Sequence, residues 1–271
     1  MQDADFQFVA REMKARTGAS ITHDVANVAE SRLIPLARRE NFDTVSELIA
    51  AARTRGDGKL AGALCDALLL TDTRFFRDRQ MFERLRQDIL PKLGERRGAA
   101  LRVLSAGCST GQEAYSLAIL VEELRQEGRL VGAEIVGADI STRLLDKARA
   151  GLYTQFEVQR GLPIRKLIAH FEKAGDLWRI SDRMRARVRY EQHNLLMHPD
   201  ALGRFDAILC CNVMTAFDDA TRIATLARIA DALEPGGVLL MGAGETLPEG
   251  AENFDGAGGV YVKSAGARAA A

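Results

Sequence analysis

The chain has 271 residues, of which 47% are hydrophobic, and its 37 Lys plus Arg balance 37 Asp plus Glu. A chain of this length buries a core without staples, as one large domain or two modest ones, and zero net charge leaves no field to draw nucleic acid or anionic lipid. No apolar run approaches the roughly 18 residues of a membrane span, and the acidic start MQDADFQF is unlike a basic signal peptide. We therefore expect a soluble, cytoplasmic protein that acts as a monomer. Cys65, Cys108, Cys210 and Cys211 form no C-x-x-C pair and have no histidine at finger spacing, so buried free thiols are expected and no metal site.

Residues 1–70 lack strand-like alternation, and apolar residues recur at helical spacing around 26–38 and 45–53. A small all-helical domain is predicted there, with Pro35 marking a kink or restart in its helix. Arg32, Arg38, Arg39 and Arg53 are candidates for a basic face. RTRGDGKLAG reads as a turn. TDTRFFRDRQMFERL (71–85) opens a segment, 71–97, in which Phe75, Phe76 and Phe82 are expected to anchor the chain and to hold Arg77 firmly. From residue 98 to 271 strands alternate with helices, the strand candidates being 101–106, 134–139, 187–193, 205–211 and 237–242. That order predicts an α/β fold with a doubly wound, mostly parallel Rossmann-like sheet. In EPGGVLL, Pro235 is expected to stop a helix and feed the last strand. SAGARAAA at the end is expected to fray.

The chemistry gathers at the predicted carboxyl edge of this sheet. LSAGCSTGQEAYSLA is a strand, a small-residue turn and a helix, an arrangement that lets a ligand approach the backbone and meet the N–H groups of the helix start. Glu113 follows the turn, Asp139 closes the second strand, and Asn212 closes the strand FDAILCC. A carboxylate at the end of the second strand can take both hydroxyls of a ribose. The turn has Gly107 and Gly111 around CST in place of G-x-G-x-x-G, which argues against a pyrophosphate. A nucleoside cofactor without phosphates fits better, and S-adenosylmethionine is the common one. Competing structural roles stay open for each residue: helix–strand packing for Gly107, a helix cap for Asp139, loop satisfaction for Asn212, and a favourable helix dipole for Glu113.

TRFFRD, SAGCSTGQEAYSLA, GADIS, NLL and FDAILCCNVM followed by FD, in this order and spacing, resemble the CheR-type methyltransferases, which methylate glutamates on bacterial chemoreceptors using S-adenosylmethionine. The resemblance covers nearly the whole chain. It implies that Thr73, Arg77, Glu113, Asp139, Asn194, Leu195, Asn212 and Val213 surround the cofactor, with Thr71 where the family often has Asn. Asp139 would hold the ribose, Asn194 would lie near the adenine, and Arg77, the candidate catalytic residue, would grip the carboxylate of either the cofactor or the substrate. The implied partners are chemoreceptor cytoplasmic helices or another glutamate-bearing protein. A small β-insertion at about 171–190 is implied, with strands near 177–180 and 185–190, and its short EKAGDL link points to independence from a receptor's C-terminal pentapeptide. The sequence departs from the family at Ala114 (Pro), Cys211 (Arg), Ala216 (Tyr), and Ala243 with Gly244 (His and Ser). These departures keep two further readings open: a catalytically impaired S-adenosylmethionine-binding sensor or receptor-binding module, and a methyltransferase for another small acid.

Overall fold

The computed structural model describes residues 1–56 and 58–264, which divide into two compact units. The first is Met1–Leu70 together with Ala216–Arg222. It is helical: α1 (Asp3–Thr17), α2 (Ala26–Arg39), α3 (Val45–Thr54) and α4 (Lys59–Leu68). In α2 the buried Ala26, Ala29, Leu33, Leu36 and Ala37 recur at the three- and four-residue steps of one helical face. With Leu48, Ile49 and Leu64, all wholly buried like Leu33, they form the core of this unit. Pro35 lies inside α2, which runs past it without a restart. Gly18 ends α1 in the left-handed region, and its N–H donates to Lys14 O, closing the last turn. Far along the chain, Ala216–Arg222 belongs to the same unit: Lys14 pairs with Asp218 at 2.6 Å and donates to Thr221 Oγ1 at 2.7 Å, and Ser20 N–H donates to Ala216 O at 2.7 Å. The expected basic face is partly neutralised from within, since Arg53 pairs with Asp5 and Arg39 with Glu40.

The second unit, Thr71–Thr215 with Ile223–Ala271, carries the sheet. Its strands are β1 (Leu101–Ala106), β2 (Ala133–Asp139), β3 (Leu152–Tyr153), β4 (Phe171–Ala174), β5 (Leu177–Ile180), β6 (Val188–Gln192), β7 (Phe205–Cys210), β8 (Leu233–Met241), β9 (Phe254–Ala257) and β10 (Val260–Lys263). Seven form one sheet in the order β6-β2-β1-β7-β8-β10-β9, parallel from β6 to β8 and antiparallel in the last two. β7 is buried along its whole length and β1 and β2 nearly so, as expected for strands covered by helices on both faces. The helices are α5 (Arg79–Arg84), α6 (Leu90–Arg97), α7 (Gln112–Gln126), α8 (Thr142–Ala150), α9 (Gln155–Gln159), α10 (Ile164–His170), α11 (Asp182–Arg185) and α12 (Asp219–Ala232), whose first four residues belong to the first unit. Among the described residues no helix is long and apolar enough to cross a membrane.

Two expectations need correction, and a third feature was not expected at all. The insertion is a three-stranded sheet, β3-β5-β4, and of the two expectations that overlap at 185–193 the main-sheet strand 187–193 stands, as β6, while the insertion strand 185–190 does not. The reason is core packing: Val188 and Tyr190 alternate inward and are buried, and Val188 pairs with Ile135 of β2. The β4–β5 link is the two residues Gly175 and Asp176, with Gly175 at φ 62, the glycine-first pattern of a type II′ hairpin. Second, α12 stops at Ala232, before Pro235, which lies inside β8; pairing shifts there, Phe205 to Leu233 and then Ala207 to Val238. Third, β9 and β10 form an additional hairpin across Gly258 and Gly259, both at positive φ. Of the tail expected to fray, only Ser264 lies within the described residues, and Asp57 of the glycine-rich turn also lies outside them.

Glu122 on α7 ties the back of this unit together. Its side chain is only 2% exposed and meets Arg125 at 3.0 Å, Arg187 at 3.1 Å and Arg183 at 3.6 Å. The Arg125 hydrogen bond, above all, holds its pKa down at about 2. A carboxylate whose folded pKa lies below its unfolded value stabilises fully above the ordinary value near ~4.3 and loses that contribution as pH falls through the folded one. Glu122→Gln is therefore expected to cost about 1.5–3 kcal/mol at pH 7, the usual worth of hydrogen bonds to a charged group. Denaturant melts should show the cost shrinking as pH drops from roughly 4.5 towards 2. An equal cost at both ends of that range would mean that the charge of Glu122 is not what stabilises it.

Candidate functional site

The strand order reverses between β1 and β7: the chain runs outward from β1 through β2 to β6, and from β7 through β8 on the other side. At such a switch point the turns at the carboxyl ends diverge and leave a crevice. The turn after β1 is built from residues in the left-handed region, Gly107 (φ 68), Ser109 (φ 50) and Gly111 (φ 90). A Cβ on Gly107 would lie 2.5 Å from Val213 Cγ2, so glycine there lets the β7 turn approach the β1 turn. Helix packing falls instead to Gly111, where a Cβ would meet Tyr190 Oη at 2.6 Å and Ala148 Cβ at 2.9 Å. Asp139 is buried at the end of β2, and its two oxygens accept the N–H groups of Ser109 (2.8 Å) and Ser141 (2.9 Å). It is not the cap of α8; Ser141 is, its hydroxyl accepting from Leu144 N–H. The β2 carboxylate thus orients the β1 turn.

Glu113, in the first turn of α7, accepts from Ser105 Oγ at 2.7 Å. Desolvation pushes its carboxyl above the ordinary pKa; Ser105, Cys211 and the charge of Arg77 draw it back, and Glu245 adds to the rise. Burial, then the neighbouring Glu113, raises the pKa of Cys211 well above the usual thiol value, so where the family has a cation this chain has a neutral group. Asn212 follows β7 in the left-handed region at φ 60, and its N–H donates to Glu245 Oε2. Arg77 is 30% exposed and gripped by Asp72, donating to its carbonyl at 2.6 Å and meeting its carboxylate at 3.5 Å, while Arg160 holds the other carboxylate oxygen at 2.8 Å. Thr71 touches the β1 turn through its carbonyl, which accepts from Ser109 Oγ at 3.5 Å; Thr73 is half-buried nearby in sequence. Asn194 and Leu195 follow β6, where His193 N–H donates to Asp139 O, and Asn194 Oδ1 accepts from Leu196 N–H.

Direct contacts thus join the surroundings of Asp139, Val213, Glu113, Asn212 and Thr71 at one sheet edge, with Asn194 one residue from it. Sequence reasoning missed Ser105, Asp72 and Glu245. Glu245 stands in the very GAGE stretch singled out for its other residues. Ala216 lies in the first unit, its backbone paired with Ser20. Three carboxylates at this edge, Asp139, Glu113 and Glu245, disfavour a phosphate and favour hydroxyls or a cation. Small residues where a ligand's body would press, with carboxylates for a ribose and for positive charge, fit S-adenosylmethionine, which carries both.

A doubly wound sheet with a small-residue first turn and an acid closing its second strand belongs to the nucleoside-binding class of α/β folds typified by S-adenosylmethionine-dependent methyltransferases. The profile of the CheR methyltransferase S-adenosylmethionine-binding domain matches residues 71–261, and the chain belongs to this family. It is 34% identical over 250 residues to chemotaxis protein methyltransferase 1 of Pseudomonas aeruginosa, covering 90% of this chain and 91% of that protein. Against chemotaxis protein methyltransferase 1 of Vibrio cholerae the figures are 31% over 258 residues, 94% of each chain. Among solved structures, a TehB-like S-adenosylmethionine-dependent methyltransferase from Corynebacterium glutamicum aligns at 18% identity over 68% of this chain and 93% of its own, with a TM-score of 0.37, too remote to bear on function.

Proposed function

We propose that this chain is a chemotaxis methyltransferase that moves the methyl group of S-adenosylmethionine onto glutamate side chains of bacterial chemoreceptors. The observation that carries the site assignment is the Asp139 carboxylate set against the Gly107–Gly111 turn at the switch point, inside the region matched by the family. When bound, the cofactor supplies an electrophilic methyl group on a sulfonium. Asp139 accepts the ribose hydroxyls, and Asn194 with Leu195 borders the base. Glu113 and Asn212 would hold the amino-acid end of the cofactor. Val213 closes on Gly107 and walls the crevice. Arg77, braced by Asp72, offers its remaining N–H donors to a carboxylate. A glutamate acceptor with a pKa near ~4.3 is already ionised at pH 7, so the site needs no general base. It must align the acceptor and strip water from an anion and a cation that neutralise one another.

Calorimetry with S-adenosylmethionine and its demethylated product, beside transfer of a labelled methyl group to a receptor cytoplasmic fragment, tests this reading. Saturable binding of both ligands and base-labile label on the fragment are expected. Absence of binding ends the cofactor assignment. Binding without transfer favours the second reading, a cofactor-binding sensor, to which the neutral Cys211 lends support.

A further inference from the structure

The turn Gly242–Ala243–Gly244–Glu245 follows β8 and folds back on itself: Glu245 N–H donates to Gly242 O at 3.0 Å, and Gly244 takes φ 82, the third-position glycine of a type II turn. That reversal returns the Glu245 side chain to the strand ends. Its Oε2 accepts two backbone N–H groups, from Gly242 at 2.7 Å and from Asn212 at 2.6 Å. One oxygen therefore ties the end of β8 to the end of β7. Asn212 is in the left-handed region at φ 60, a conformation that costs energy for any residue with a side chain and persists where neighbours fix it. The amide of Asn212 lies over the same glycine: a Cβ on Gly242 would fall 2.7 Å from Glu245 Oε2 and 2.8 and 2.9 Å from the two amide atoms of Asn212.

We propose that Glu245 is a positioning residue of the cofactor site: by gathering the N–H groups of Asn212 and Gly242 it holds Asn212 left-handed and fixes where its amide stands. Glu245 need not touch the cofactor; it acts through Asn212. The inference rests on the placing of Asn212 in the cofactor site. It assigns a role to the acidic end of GAGE, whose Ala243 and Gly244 are departures from the family, and it requires glycine at 242 because a methyl group there would part the carboxylate from the amide.

The test is a double-mutant cycle on affinity for the demethylated cofactor, read by calorimetry on the full chain, with melting temperatures alongside. Glu245→Ala is expected to weaken binding on the order of tenfold, the equivalent of one charge-assisted hydrogen bond. Glu245→Gln keeps an acceptor and should recover part of that loss. Gly242→Ala, which displaces the carboxylate without removing it, should reproduce the defect. In an Asn212→Ala background, Glu245→Ala should cost little more, because a residue that acts through another has nothing left to position. With saturating cofactor the transfer rate should be largely restored, so that KM moves more than kcat. Additive losses in the cycle, or unchanged affinity in Glu245→Ala and Gly242→Ala, overturn the assignment while leaving the cofactor reading intact. Failure of the unmodified chain to bind overturns both. If Glu245→Ala does not fold, Glu245→Gln and Gly242→Ala carry the same cycle.

Discussion

Asp139→Ala is expected to lower affinity for S-adenosylmethionine by roughly ten- to a hundredfold, equivalent to about 1.5–3 kcal/mol for hydrogen bonds to a charged group. Two losses combine. The ribose loses its carboxylate, and Ser109 N–H loses the acceptor that holds the β1 turn at 2.8 Å. Asp139→Asn separates them, since its single amide oxygen can serve one of the two N–H groups but not both with the ribose as well. It should fall between the parent and the alanine variant in calorimetry. The fold should survive both changes, because Ser141, not Asp139, caps α8. If Asp139→Ala binds as the parent does, the ribose lies elsewhere and the sheet-edge assignment fails.

Phe75→Ala is expected to be the most destabilising single change in the segment before the sheet. Its ring is wholly buried and packs edge-on against Tyr153 at 5.0 Å and Phe171 at 5.5 Å, joining that segment to two strands of the small sheet. Removing such a ring costs about 3–5 kcal/mol. Phe76, expected to be an equal anchor, is only partly buried and sits at φ 47, so its truncation should cost less. Arg77→Ala should cost under about 1 kcal/mol, because an ion pair this exposed contributes little, yet it should impair methyl transfer. Thermal melts and transfer assays on the three variants check the ranking. A melting temperature for Arg77→Ala as low as that for Phe75→Ala, with transfer intact, would make Arg77 structural.

Much of this was legible because period and punctuation agree. The parallel core strands are short apolar runs that end in small or polar residues, so β1, β2 and β7, with Asp139 closing β2 and Asn212 following β7, could be placed from sequence. Where the reading failed, two structures compete for one pattern. Val188, Tyr190 and their neighbours alternate equally well for an insertion hairpin and for an edge strand; only the buried pocket for Tyr190, beneath Gly111 and Gly137, decides. The β9–β10 hairpin carried a fair signal, FDGA-GG-VYVK, in which Gly258–Gly259 suits a two-residue turn. Glu245 was not legible as a site residue, because its partners are backbone N–H groups that only the closed turn brings within reach.

The helical unit is discontinuous in sequence: seven residues, Ala216–Arg222, reach it from beyond the β7 turn, and Lys14 fastens them through Asp218 and Thr221. A recombination that exchanges N-terminal modules between homologues at the obvious joint, residue 70, would leave behind a fragment cognate to the discarded module. A chimera of this chain should therefore need two crossovers, because a hybrid spliced only at residue 70 leaves Asp218 and Thr221 facing whatever residue the incoming module carries in place of Lys14.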